Sequence, residues 1–261
     1  MTEFIEVKQH ENIVEVALNR PETYNAFNLE MVSRLADHLS RLAKDSGVKG
    51  IVIAGKGKAF CAGGDLRYAV DSPDGAGAAF HRLAAQFHLA IVEIRRMRKP
   101  VVAAIHGVAA GGGFSLALAC DFRVMEKKAR LIQAYTSNGL CIDGGGTFTL
   151  PRIVGLARAL EIAAFDNPIS ADQALEWGMA TKVVEDGRSL DAAIDMLQQL
   201  TQRSRQSFGW TKKLLTDSFT TSFESQIEME RVGLCDCADH PDGQEGLNAF
   251  VEKRKPVYGK D

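Results

Sequence analysis

Residues 103–121 read AAIHGVAAGGGFSLALACD. Pro100 stops what precedes, and Val101 to Ile105 is an apolar run of buried-strand length. Gly107 turns the chain. Ala109 to Gly113 is built of small residues and runs into the apolar stretch Phe114 to Ala119, which starts a helix. A strand that passes through glycines into a buried helix belongs to an α/β fold. Glycines at the helix start let a ligand oxygen approach the backbone N–H groups, and the helix dipole favours negative charge there.

The same grammar extends outward. Gly50 to Ala54 is a second buried strand, followed by another glycine turn, AFCAGGDL at 59–66. Ile13 to Leu18 is a strand that ends at Asn19-Arg20-Pro21. Asn28 caps a helix with Met31, Leu35, Leu39 and Leu42 on one face. Phe80, Leu83, Phe87, Ile91 and Ile94 repeat at helical spacing up to Met97. Arg123 to Met125 and Arg130 to Ala134 are short strands, and Tyr135 to Gly146 is a glycine-rich loop. A helix is expected around Ala157 to Phe165. Ser170 and Gln173 form a capping box, and Lys182 to Val184 is a last strand. From Leu190 onward only helices are expected, over 190–202, 206–218, 223–238 and 243–253. The chain therefore divides into an α/β core, 1–189, and a C-terminal helical region, 190–261.

The 261 residues carry 31 Lys plus Arg against 33 Asp plus Glu, a net charge of -2, with 46% hydrophobic residues. This composition excludes a disordered chain and lacks the basic excess of a dedicated nucleic-acid binder. No run approaches the roughly 18 apolar residues of a membrane helix. The start, MTEFIEVKQHENIVEV, has no secretory signal pattern. Five cysteines without a CxxC pair point to reduced thiols rather than a disulfide frame or a zinc site. A cytoplasmic protein without membrane or nucleic-acid partners and without a metal is expected. Neither glycine turn is a GxGxxG fingerprint with its acidic residue, nor a GKS/T loop, which disfavours phosphate binding of those two types.

The two turns together, with NRPETYNAFN at 19–28 and NAFVEKRKP at 248–256, resemble the crotonase (enoyl-CoA hydratase/isomerase) superfamily along essentially the whole chain. The resemblance implies a spiral of ββα units and a C-terminal helical trimerisation region, with trimers often paired into hexamers. It implies an acyl-CoA thioester as substrate, coenzyme A being part of that substrate and no separate cofactor being needed. It places the two oxyanion-hole amides on Gly64 and Gly112. Two such donors stabilise the thioester enolate formed when a neighbouring proton leaves, each worth about 2.7–4 kcal/mol. It assigns Ala62, Asp65 and Leu66, with Tyr24 to Ala26, to the adenine end of coenzyme A. Phe250 and Lys253 would reach the ligand of a neighbouring subunit.

Within the superfamily the chain departs from the hydratases, whose two glutamates hold a water. Their positions carry Ser115 and Tyr135 here. Serine and tyrosine do not replace a carboxylate base near neutral pH without special tuning. One acid remains in the loop, Asp143, and the stretch Asp143 to Thr147 is similar to the 1,2-epoxyphenylacetyl-CoA isomerase type. The expected activity is an acyl-CoA isomerase that shifts a double bond or a ring-epoxide system, with Asp143 as acid/base. Ser115 and Tyr135 would line the acyl pocket. The alternatives are an enoyl-CoA hydratase, a hydrolase or dehalogenase with Asp143 as nucleophile, and a CoA-ester-binding protein without catalysis. An aspartate ahead of a glycine-rich helix start is also a common N-cap. His106 reads as structural, and His81 and His88 as solvated or packed side chains on their helix.

Overall fold

The protein is described here by a computed structural model covering residues 3–259. In chain order the strands are β1 (Ile5–His10), β2 (Ile13–Leu18), β3 (Gly50–Gly55), β4 (Val101–Ile105), β5 (Val108–Ala110), β6 (Phe122–Glu126), β7 (Arg130–Ile132), β8 (Ile169–Ser170) and β9 (Lys182–Val184). The helices are α1 (Leu29–Lys44), α2 (Leu66–Val70), α3 (Ala76–Arg96), α4 (Gly112–Ala119), α5 (Gly146–Val154), α6 (Leu156–Phe165), α7 (Ala171–Glu176), α8 (Ser189–Thr201), α9 (Arg205–Asp217), α10 (Phe223–Asp239) and α11 (Pro241–Val251).

The main sheet runs β1-β2-β3-β4-β6-β9, and only the β1–β2 pair is antiparallel. Its central strands are buried on both faces, which is why they read as unbroken apolar runs. The period of two splits them cleanly. Val14, Val16, Ile51, Ile53, Ala103 and Ile105 face α1, α3 and α4 in the larger core. Ile13, Val52, Ala54, Val102, Ala104 and Val124 face α8 in the smaller one, against Ala192, Ala193 and Leu197. A second sheet, β5-β7-β8, lies beside the first, and Cys61 extends it with a single parallel bridge to Ala109. Each turn of the chain thus passes from a main-sheet strand to a short strand or bridge and then to helices. This is the expected spiral of ββα units, followed by the helices of the C-terminal region.

Most elements lie where the sequence places them. The Asn28 side chain accepts the Met31 N–H at 2.9 Å, and Ser170 with Gln173 closes both halves of its capping box. The short elements α2, β5 and β8 escape the reading, and so do β1 and α5. β1 is an edge strand with one buried residue, Ile5, so it carries no apolar alternation. α5 begins inside the glycine run and contains Pro151, both poor helix signals. It forms because Thr149 and Leu150 are buried, with α4 on one side and α6 on the other.

α9 is pinned to the core by a buried ion. Lys212 Nζ donates to Asp121 at 2.8 Å and to the carbonyls of Ile94 and Lys99 at 2.7 and 3.2 Å. Asp121 also accepts the Val101 N–H, so one pair ties α9, α3 and β4 together.

Candidate active site

The two glycine turns meet. α4 is apolar on every side and all its residues are buried, so its N-terminus opens inside the protein. Gly111, at φ +51°, is its N-cap and supplies no side-chain acceptor. The first N–H groups of a helix have no partner in their own helix. The Gly112 N–H has none among the described residues. Across from it Gly64 pairs with Phe27 in a parallel bridge. That bridge uses the Gly63 carbonyl and the Asp65 N–H, at 2.7 and 2.9 Å, so the Gly64 N–H points the other way. It too has no acceptor among the described residues. The turns approach so closely that a side chain on Gly113 would meet the Cys61 carbonyl at 2.4 Å. A Cβ on Gly63 would stand 3.1 Å from the Gly112 nitrogen.

Gly64 and Gly112 both line a cavity of about 420 Å³, a size suited to a small-molecule ligand. Its wall is largely apolar and includes the rings of Phe27, Phe80, Phe87 and Tyr135; Phe27 and Phe87 pack with ring centroids 4.9 Å apart. Asp143 is the one carboxylate among its lining residues.

Asp143 is held from three elements. The Tyr135 hydroxyl donates to Asp143 Oδ1. Ser115 Oγ, on α4, donates to the Asp143 carbonyl at 2.8 Å. The next peptide N–H, Gly144, donates to His88 Nε2 on α3 at 3.2 Å. Gly144 sits at φ +60°, and a Cβ there would strike the Phe87 ring at 2.5 Å and the Ser115 Cβ at 2.9 Å. Asp143 Oδ2 accepts no hydrogen bond from the described residues. The tyrosine is well placed as a permanent donor. Burial, and then the charge and hydrogen bond of Asp143, push its hydroxyl far above the ordinary tyrosine range.

Of the expected site residues, Gly64, Gly112, Ala62, Leu66, Tyr135 and Asp143 line this cavity. Ser115 does not. It is 1% exposed and acts from behind the wall, on the Asp143 backbone. Asp65 caps α2 by accepting the Tyr68 N–H and pairs with Arg20 at 3.1 Å. Ala26 is buried, and its carbonyl accepts from Arg20 at 2.6 Å. Phe250 and Lys253 lie at the end of α11, outside the cavity wall. Asp143 is not a helix cap, because Gly145 holds the N-cap position of α5 and no side chain caps it. His88 is the residue that sequence reading set aside. Nothing in a helical histidine seven residues after His81 signals that its ring meets a loop 56 residues away. Cys61 is structural. Burial pushes its thiol up to about 12, and it bridges the Asn25 carbonyl and the Gly63 N–H. His106 meets the Gly57 carbonyl at 3.1 Å, away from the cavity.

The sequence profile of the enoyl-CoA hydratase/isomerase family matches residues 8–261. The chain is 34% identical to 1,2-epoxyphenylacetyl-CoA isomerase of Escherichia coli strain K12, over 99% of both chains. It is 31% identical to 4-chlorobenzoyl coenzyme A dehalogenase-2 of an Arthrobacter species, over 95% of this chain and 91% of that one. The fold superposes on the crystal structure of an enoyl-CoA hydratase from Polaromonas sp. JS666 with a TM-score of 0.93 and 33% identity, covering 98% of this chain and 99% of that one. With the ββα spiral, the paired glycine turns and matches along its whole length, this chain belongs to the enoyl-CoA hydratase/isomerase family of the crotonase superfamily.

Proposed function

We propose that the protein is an acyl-CoA isomerase that moves a double bond, or opens a ring-epoxide system, through a thioester enolate. The observation that carries this reading is a single carboxylate, Asp143, on a cavity that also receives two unpartnered amides. The Gly64 and Gly112 N–H groups would hold the thioester oxygen. In a 3-enoyl thioester, Asp143 Oδ2 removes a proton from C2, and the charge spreads onto the held oxygen. The same carboxyl then returns the proton at C4 and leaves the 2-enoyl product. Atoms balance without a cofactor, because the proton lost is the proton regained and coenzyme A stays on the substrate. Tyr135 keeps Oδ1 occupied, so Oδ2 is left to carry the proton. Acid–base help of this kind is worth roughly 10²–10⁴-fold.

The hydratase reading is weaker, since Ser115 and Tyr135 stand where an acid pair would hold the water. The four aromatic rings on the wall favour a ring-bearing acyl group over a thin linear one. Similarity to a dehalogenase supports a second reading in which Asp143 attacks the acyl ring.

Exposed apolar residues on the later helices, with Phe250 at 84% exposure, support assembly into a homotrimer or a pair of trimers. Phe250 and Lys253 would then reach the ligand of a neighbouring subunit. Five free cysteines fit a reducing, cytoplasmic setting. Among the described residues no helix is long and apolar enough to cross a membrane.

The test is a 3-enoyl-CoA and a phenyl-bearing analogue incubated with the protein in deuterated water, followed by product mass and structure. A 2-enoyl product without added oxygen, absent with Asp143→Asn, is expected. A product heavier by one water would replace this reading with hydration. A covalent adduct on Asp143 after rapid quench would replace it with nucleophilic attack.

A further inference from the structure

A second cavity, of about 210 Å³, lies where α3, α4 and α5 end against α9. Three arginines line it, Arg95 from α3, Arg123 from β6 and Arg152 from α5, together with Phe148, Thr149 and Thr216. Arg123 is spent on structure, since its side chain donates to the carbonyls of Met179, Ala117 and Cys120. Arg152, exposed at the rim, gives one N–H to the Phe148 carbonyl at 2.8 Å and lies over the Phe148 and Phe219 rings, 3.5 and 4.9 Å from their centroids. Arg95 makes no hydrogen bond with the described residues and meets only the Phe148 ring, 5.0 Å from its centroid.

No carboxylate among the described residues comes within ion-pair distance of Arg95 or Arg152. The acids that act on Arg95 from farther off are Asp121 and Asp217, and both are committed elsewhere. Asp121 is tied to Lys212 and the Val101 N–H, and Asp217 to Lys213. Burial, and then the charge of Arg152, hold Arg95 below its ordinary range. Two forked cation donors thus meet at one cavity, Arg95 half-buried and Arg152 at its exposed rim, and neither is paired with a carboxylate among the described residues.

We propose that this cavity is a binding site for a small phosphate-class oxyanion, held by Arg95 and Arg152. Guanidinium forks match the oxygens of such an anion in pairs, and hydrogen bonds between ionised groups are about twice as strong as neutral ones. The hydroxyls of Thr149 and Thr216 offer further donors. The C-terminal ends of α3 and α5 carry partial negative charge that offsets part of the arginine charge. That compensation is diffuse and leaves the directed donors unused.

The test is calorimetric titration of the full-length protein with inorganic phosphate at low millimolar concentration, against chloride of equal ionic strength. Saturable binding to phosphate and none to chloride is expected. Arg95→Gln should raise the half-saturating concentration at least tenfold, while proton-exchange activity at the Asp143 site stays at the wild-type level. Arg95→Lys, which keeps the charge, should restore part of the affinity and guards against a folding defect. A parallel titration with coenzyme A, which carries phosphate of its own, distinguishes a free ion from a phosphate on a larger ligand. Sensitivity of either titration to Arg95→Gln supports the site. Equal heats for phosphate and chloride, or phosphate binding unchanged in Arg95→Gln and Arg152→Gln, would overturn it and leave the arginines as caps of helix ends.

Discussion

At the residue scale, the site depends on how one carboxylate is aimed. Tyr135→Phe removes the donor to Asp143 Oδ1 and leaves the ring in the wall. If Asp143 is the base as proposed, the variant's kcat should fall by about tenfold with KM little changed, because the lost hydrogen bond would orient that base rather than bind substrate. His88→Ala should behave alike, since it frees the Gly144 N–H, whereas His88→Gln can still accept that hydrogen bond and should recover much of the loss. Steady-state kinetics on the three variants check this. A KM effect without a kcat effect would show that these side chains bind the acyl group instead. The raised Tyr135 hydroxyl also has a consequence for stability. Above about pH 10 an unfolded tyrosine loses its proton. The folded one keeps it, so the native state binds more protons and stability falls as pH rises. Tyr135→Phe should flatten part of that alkaline decline in urea titrations between about pH 9 and 11.

At the element scale, α4 is the decisive piece. Its apolar composition buries it, and burial brings its unsatisfied N-terminal amides inside the protein rather than into water. Gly113→Ala puts a methyl group against the Cys61 carbonyl, so it should separate the two turns. Activity should drop at least 10²-fold, the worth of one oxyanion donor, and near-native activity in a folded variant would refute the pairing of the turns. α9 depends on one ion in a different way. Lys212→Met leaves Asp121 buried with its main partner gone and should destabilise the chain by about 3–5 kcal/mol, measured by urea unfolding. α1 and α7 carry their own caps and were legible for that reason. α5 carries no side-chain cap and holds a proline, so only its packing declares it.

At the scale of the whole molecule, the chain leaves apolar side chains uncovered on its later helices. Phe223, Leu234, Phe250 and Val251 are all exposed. These exposed side chains are what the assembly proposed above would cover. Sedimentation should therefore give three or six times the chain mass. A monomer at micromolar concentration would remove the support for a neighbour's Phe250 and Lys253 at the ligand.

Much of this protein follows from local chemistry along the chain. The buried strands announce themselves as apolar runs, the capped helices by Asn28 and Ser170, and the glycine turns by composition. Asp143 stands out because the surrounding loop offers no other acid. Other features belong to tertiary structure alone. That Gly64 and Gly112, with unpartnered amides, line one cavity depends on two turns, 48 residues apart, touching backbone to backbone. That Ser115 and His88 hold Asp143 from behind depends on where α4 and α3 cross the loop. Side-chain periodicity reports which face of an element is buried, because burial acts on every residue of that face. It does not report which distant atom a polar group meets, because that is decided by the packing of whole elements and leaves no repeat in the letters.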